Sequence, residues 1–392
     1  MTTLTAPGAA ELLARYREGA FFFASPSGSL LTEGTHVTVP HSLRPAGLAD
    51  LPGRLAAVLD LAAASGHPDP VVVGAVPFDH DAAARLVVPE RVLRGGTVPA
   101  GLGLVGGDTR WTVTPVPAPE SYAAAVADAV RRLRAGDLDK VVLARSLRLT
   151  SPVPVRVPGL LGALARRDPT GYSFAADLGA GRTLVGASPE LLVSRRDGAV
   201  VANPLAGSAP RAVNPAEDAR RARALINSEK DRHEHKVVVD AVAAALGPLC
   251  ADLDVPAAPS LVRTAAMWHL STRITGRTDR SATELAVALH PTPAVCGAPT
   301  AAARALIADL EPFDRGFYTG MVGWADARGD GEWVVTIRCG VAEGGTLTVY
   351  AGAGVVADSD PMAELAETAA KFGTLLAALG VDTALEGLSD VA

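Results

Sequence analysis

The sequence predicts an α+β fold, and three observations carry that expectation. Short apolar or alternating runs bounded by Gly, Pro and Ser read as strands, several of them antiparallel in arrangement. Helical stretches with apolar stripes flank those runs. Hydrophobic residues make up 48% of the chain and charged residues 20%, the balance of a globular protein with ample core material.

From the start, Ala10–Glu18 is helical in pattern. Phe21–Ala24 and Leu30–Val39 read as strands joined by the turn Ser25-Pro-Ser-Gly28. Ala46–Ser65 is an amphipathic helix, Val71–Val76 a short buried strand, and the Gly-rich Gly95–Asp108 a loop. The texture changes near Ser121. Tyr122–Ala135 is a helix closed by Gly136, which suits a left-handed cap, and Lys140–Arg145 is the next strand. Strands follow at Tyr172–Asp177 and Leu184–Ala187, then a hairpin at Glu190–Arg195 and Ala199–Ala202. Asn227–Leu246 is a long helix with Val237, Val238, Ala241, Val242 and Ala245 on its apolar stripe. Val334–Val341 and Thr346–Ala351 are strands joined at Glu343-Gly-Gly345, and the helix Pro361–Leu379 closes the pattern. Neither an internal repeat nor a low-complexity tail is evident.

With 392 residues the chain exceeds what one ordinary core organises, although large single α+β units exist. Aromatics are only 4%, so the core must be built largely from Ala, Val and Leu. A net charge of −6 argues against nucleic acid or an anionic membrane as main partner. Cys250, Cys296 and Cys339 are too few and scattered for a disulfide framework or a zinc site. Met1–Arg15 lacks the features of a signal peptide, and no apolar run of about 18 residues suggests a membrane span. A cytoplasmic location is expected.

Several residues could carry chemistry. Glu364, Glu367 and Lys371 share one face of the closing helix at i, i+3 and i+7, just after the tight Ala351-Gly-Ala-Gly354. A solvated face with one Glu-to-Lys pair would look the same. Glu234 precedes the apolar stripe of its helix and could point into a cleft. Carboxylates from two helices suit Mg²⁺, which takes one or two of them plus water and substrate oxygens. His233 and His235 diverge at i, i+2 spacing, so a zinc pair is not expected. Lys140 opens an apolar strand; facing inward it would lose hydration and become a base, whereas at a strand edge it would be an ordinary solvated lysine. Glu190 sits at a strand-to-turn junction as either a site acid or a turn residue. Arg338 ends the strand Trp333–Ile337, where it could clasp a carboxylate.

Taken together, nine ordered segments resemble the chorismate-binding family, which includes isochorismate, salicylate, anthranilate and aminodeoxychorismate synthases. They are Lys140-Val-Val-Leu-Ala-Arg145, Gly186-Ala-Ser-Pro-Glu-Leu-Leu192, Pro204-Leu-Ala-Gly-Ser208, Ser228-Glu-Lys-Asp-Arg-His-Glu-His235, Leu289-His-Pro-Thr-Pro-Ala-Val295, Gly320-Met-Val-Gly-Trp324, Thr336-Ile-Arg338, Ala351-Gly-Ala-Gly354 and Glu364-Leu-Ala-Glu-Thr-Ala-Ala-Lys371. Phe21-Phe-Phe-Ala-Ser-Pro26 is similar to the start of isochorismate synthases that serve siderophore pathways.

The resemblance implies two packed antiparallel sheets surrounded by helices, as one unit over residues 1–392 with a variable front half, 1–115, and a catalytic core, 120–380. It implies a Mg²⁺-dependent enzyme that turns chorismate into isochorismate. Lys140 matches the base that activates water for C2, and Glu190 the acid that protonates the departing C4 hydroxyl. Glu234, Glu364 and Glu367 match the metal carboxylates. Gly207, Ser208, His290, Ala294, Val295, Tyr318, Arg338, Gly352 and Lys371 match substrate contacts, with Arg338 and Tyr318 at the enolpyruvyl carboxylate and Lys371 near the ring carboxylate. Neutral Glu190 requires a raised pKa and neutral Lys140 a lowered one. The small residues Pro293-Ala-Val295 resemble isochorismate synthases more than salicylate synthases, which tend to carry a hydroxyl residue nearby. An anthranilate-type enzyme or a non-catalytic chorismate binder are the remaining alternatives. A monomer is expected, with neither nucleic acid nor membrane as partner.

Overall fold

The computed structural model describes residues 7–42, 47–99 and 110–381. Every strand pairing among them is antiparallel, and the strands form two large sheets and one small one. The first runs Gly297–Ala298, Lys140–Thr150, Thr346–Val355, Cys339–Glu343, Arg182–Ser188, Tyr172–Gly179, Phe22–Ser25, Gly28–Glu33, Arg91–Gly95, and Thr112–Val116 adds to the far end of Lys140–Thr150. The second runs Ala251–Asp254, Ile274–Arg277, Ala199–Asn203, Leu191–Arg196, Gly331–Val335, Met321–Asp326, Val71–Val76, Arg85–Val88, Val37–Thr38. Leu205–Pro210, Met267–Ser271 and Ser260–Arg263 make the small sheet.

The two large sheets pack face to face. Phe23, Phe174 and Leu184 of the first meet Val73, Val322 and Val334 of the second in a dry layer. Strands buried on both faces must be apolar throughout, which is why Val71–Val76 is a continuous apolar run. The outer face of the first sheet is covered by the helices Ala9–Arg15, Val157–Arg167 and Pro361–Ala378. The outer face of the second is covered by Leu51–Ala64, Glu229–Leu246 and Ala282–Leu289. The expected sandwich ringed by helices is the architecture found. Strands from the front half join both sheets: Phe22–Ser25 pairs with Tyr172–Gly179, and Val71–Val76 with Met321–Asp326.

Gly136 caps its helix at φ 86°, and the helix it ends begins earlier than expected, at Pro119. Other boundaries moved for local reasons. The run expected over Leu30–Val39 is two strands, because the chain turns at Gly34 with φ 69°. The helix expected over Asn227–Leu246 is found as Glu229–Leu246; Asn227 instead ends a preceding helix, Pro215–Asn227, that the sequence did not suggest, with Ser228 extended between the two and its hydroxyl accepting from Asp231 N. The stripe of the second centres on Val238, Val239, Val242 and Leu246, leaving Val237 only partly buried. The expected strand Val334–Val341 breaks at Thr336–Arg338. Arg85–Val88, Val157–Arg167 and Leu205–Pro210 are elements the sequence reading did not foresee. Ala46 of the expected helix Ala46–Ser65, and residues 100–108 of the loop expected over Gly95–Asp108, lie outside the described residues.

Candidate active site

The break at Thr336–Arg338 is where the site begins. Gly331–Val335 belongs to the second sheet and Cys339–Glu343 to the first, so the chain crosses between sheets there. It crosses again at Pro189-Glu190, between Arg182–Ser188 and Leu191–Arg196. The two crossings lie side by side: Ala187 N donates to Arg338 O and Val335 N to Glu190 O. Arg338 takes φ 50° and Thr319 φ 58°, left-handed conformations costly for residues with a Cβ. Strain of this kind is kept where a side chain must be aimed.

Glu190 and Arg338 thus face a cavity that is partly open to solvent. Its walls also include Gly207, Ser208, Glu234, Ala294, Val295, Tyr318, Gly352, Glu367 and Lys371, all singled out in the sequence. His269 and Tyr350 line it as well and were not foreseen; His269 follows a Trp in an unremarkable strand. Three expected residues do not line it. His290 is buried 5.4 Å from the His80 ring, outside the cavity, so a direct substrate contact is not what its position offers. Glu364 lies one helical turn behind Glu367, wholly buried and ion-paired to Lys230 at 3.0 Å. Lys140 lies behind Glu234, its Nζ 2.9 Å from Glu234 Oε1 but without hydrogen-bond geometry. It is fully buried, so the strand-edge alternative is set aside. Yet it has a carboxylate beside it, rather than the purely apolar surroundings its strand suggested.

Glycines make these approaches feasible. A Cβ on Gly354 would lie 2.3 Å from Glu234 Oε1 and 3.1 Å from Lys140 Cε. One on Gly352 would lie 3.0 Å from Tyr318 Oη, and the carbonyl of Gly352 accepts from Lys371 Nζ at 2.9 Å. The closing helix is held by Arg145, buried between Tyr122 and Phe372, whose Nε donates to Thr368 Oγ1 at 2.8 Å.

The electrostatics are uneven. Burial raises the Glu190 carboxyl to about 7, although Leu205 N–H, Lys140, Lys371 and Arg338 all favour its ionised form. Burial also lowers the Arg338 guanidinium to about 10, which leaves it cationic at neutral pH. Among the described residues Arg338 makes no ion pair, so a buried cation faces the cavity awaiting an anion. Burial works to raise Glu367 too, but Lys371 at 2.5 Å, Ser208 at 3.2 Å and Lys230 hold it below the usual carboxylate range. Glu364 is raised, by burial and then by the charge of Glu367.

Each glutamate of the expected metal set is therefore matched with a lysine: Glu234 with Lys140, Glu364 with Lys230 and Glu367 with Lys371. Among the described residues no three carboxylates, imidazoles or thiols converge as a ready-made metal group. Two hard carboxylates facing one cavity nevertheless fit Mg²⁺, which completes its shell with water and substrate oxygens.

Residues 108–380 match the family model described as Chorismate binding enzyme. The chain belongs to the chorismate-binding enzyme family. Within it, the chain is 54% identical to isochorismate synthase DhbC of Bacillus subtilis over 391 residues, covering 97% of this chain and 98% of that one. It is 41% identical to the vibriobactin-specific isochorismate synthase of Vibrio cholerae, over 92% of each chain. A crystal structure of a Bacillus anthracis protein, described as a 2,3-dihydroxybenzoate-specific isochorismate synthase, superposes with a TM-score of 0.90 at 48% identity, covering 95% of this chain and 99% of that one.

Proposed function

We infer that this protein is an isochorismate synthase, converting chorismate to isochorismate with Mg²⁺ and supplying a 2,3-dihydroxybenzoate-type siderophore pathway. The carrying observation is the cavity itself. It joins an acid with a carboxyl near 7 to cations for two carboxylates and to two hard metal-type oxygens. The near full-length identity to isochorismate synthases supports the same reading, and the alternatives have no comparable support.

Chorismate is a dianion with a ring diene. Arg338, assisted by Tyr318, takes the enolpyruvyl carboxylate as a buried guanidinium can, in a fork. Lys371, Ser208 and the backbone at Gly207 and Gly352 take the ring carboxylate end. Ala294 and Val295 give the ring an apolar wall. Lys140 accepts a proton from the water that adds at C2. Both double bonds of the ring diene shift, and the C4 hydroxyl leaves as water on accepting the proton of Glu190, so one water enters and one departs. Glu234 and Glu367, with Glu364 behind them, would hold Mg²⁺, which supplies charge neutralisation and orientation at the ring carboxylate. The front half, contributing strands to both sheets, is taken as part of one folding unit with the core. The same reading takes the protein as a cytoplasmic monomer acting on a small molecule, in keeping with its net charge of −6 and with no helix among the described residues long and apolar enough to cross a membrane.

The test is incubation with chorismate, with Mg²⁺ or with EDTA, and chromatographic identification of the product. Isochorismate forming only with the metal is expected; no isochorismate in the presence of Mg²⁺ would overturn the reading.

A further inference from the structure

The strand carrying Lys140 has a gap along one edge. Thr346–Val355 pairs with it from Val141 to Thr150 on one side. On the other side Gly297–Ala298 pairs only with Lys140 and Val141, with Cys296 O accepting from Val142 N at 2.8 Å, and Thr112–Val116 pairs only with Ser146 to Thr150. Between them, backbone groups that a strand would satisfy meet side chains instead. Ala144 N donates to Glu311 Oε1 at 2.7 Å, and Val142 O accepts from Arg315 Nη2 at 2.7 Å.

Glu311 and Arg315 are themselves a buried ion pair, 3% and 2% exposed, with Nη2 to Oε1 at 2.5 Å and Nε to Oε2 at 2.8 Å. Arg315 Nη1 reaches onward to Val295 O at 2.8 Å and to Thr319 Oγ1 at 3.2 Å. A guanidinium has five N–H donors, and these contacts use all of them. Its Cζ lies 4.7 Å from the Phe78 ring centroid and 5.9 Å from that of Tyr318. Val142, Val295, Tyr318 and Thr319 all line the cavity, whereas neither Glu311 nor Arg315 does. The pair therefore ties together three separate walls from behind: the Lys140 strand, the 291–296 segment and the left-handed turn at Thr319.

We propose that Glu311 and Arg315 are positioning residues for the reaction, a side-chain pair standing in for a missing strand segment and fixing the Lys140 strand against the walls at Val295 and Tyr318. The proposal rests on the isochorismate synthase reading for its kinetic consequence, but not for its structural one. An apolar pair of equal volume fills the space yet donates nothing. A lysine at 315 keeps the charge but cannot fork across five acceptor atoms.

The test compares wild type with Arg315→Lys and with the double variant Glu311→Met, Arg315→Met. The double variant removes both charges together, so no buried charge is stranded. Displacements of about 1 Å around reacting groups cost up to about 10²-fold in rate. The double variant is expected to melt cooperatively but to lose about 10²-fold in kcat, with KM within about threefold; Arg315→Lys is expected to lose about tenfold. Amide hydrogen exchange should quicken in residues 140–145 and 291–297 and stay unchanged in Phe22–Ser25, five strands away from the Lys140 strand in the first sheet. Folded variants with kcat within threefold of wild type overturn the positioning role, because a purely structural pair leaves turnover per folded molecule intact. Unchanged exchange in those two segments overturns it as well. Should the double variant fail to fold, Arg315→Lys decides by the same two readouts. A wild-type protein inactive on chorismate would instead overturn the functional reading, and the exchange comparison would still judge the pair.

Discussion

Glu190→Gln should exchange activity for stability, in a manner that depends on pH. Glutamine mimics the neutral acid. In the folded chain burial lifts the Glu190 carboxyl from 4.5 to about 7. Below 4.5 the group is protonated in both folded and unfolded chains and contributes no difference. Between 4.5 and about 7 the folded chain holds a proton that the unfolded chain has lost, so stability falls as pH rises, at about 1.4 kcal/mol per unit. The shift of 7 − 4.5, about 2.5 units, amounts to about 3 kcal/mol lost by pH 7 and constant above it. The glutamine variant does not suffer this loss. Denaturant unfolding at several pH values should show the two proteins within about 0.5 kcal/mol of each other near pH 4.5, and the variant ahead by about 3 kcal/mol at pH 8. Chorismate turnover should fall by about 10²–10⁴ in the same variant. A variant no more stable than wild type at pH 8 would mean that the fold accommodates the ionised carboxylate, and the neutral-acid role would fail.

Other substitutions separate the remaining roles. Lys140→Ala should lose about 10²–10⁴ in kcat in both reaction directions alike, measured from chorismate and from isochorismate; near-normal turnover would remove it as the base. Gly354→Ala should push on the Lys140–Glu234 contact, where the new methyl would stand 2.3 Å from Glu234 Oε1, and cost about 10²-fold in kcat with little change in melting temperature. Arg338→Lys should act mainly on KM, raising it about 10- to 100-fold as a forked contact to a carboxylate is lost; an unchanged KM would place that carboxylate elsewhere.

The α+β class and a few site residues were legible in local signals, whereas the two packed sheets and most of the cavity lining were implied by the resemblance to the chorismate-binding family. The Gly-rich Ala351-Gly-Ala-Gly354, the face shared by Glu367 and Lys371, and the apolar run at Val71–Val76 mean much the same in the folded chain as in the sequence. What it left hidden depends on chain crossings and on charge partners distant in sequence. The break at Thr336–Arg338 exists because the strand changes sheets there, and no residue in it is a turn former. Lys140 looked like an isolated inward lysine because its partner Glu234 lies on a helix nearly a hundred positions away. Glu311 and Arg315 were not singled out in the sequence, because an acid and a base four positions apart are common, and only the missing strand beside Val142 and Ala144 gives them a task. His290 sits in a motif that does face the cavity at Ala294 and Val295, but its own side chain is directed to His80.

An isochorismate synthase moves one hydroxyl and nothing else. The deciding measurement starts the Mg²⁺-supplemented enzyme from pure chorismate and from pure isochorismate, with pyruvate assayed in both. The same final ratio of the two compounds is expected from either side, with no pyruvate released. Pyruvate appearing in step with substrate loss, or failure of the two mixtures to converge, would contradict it.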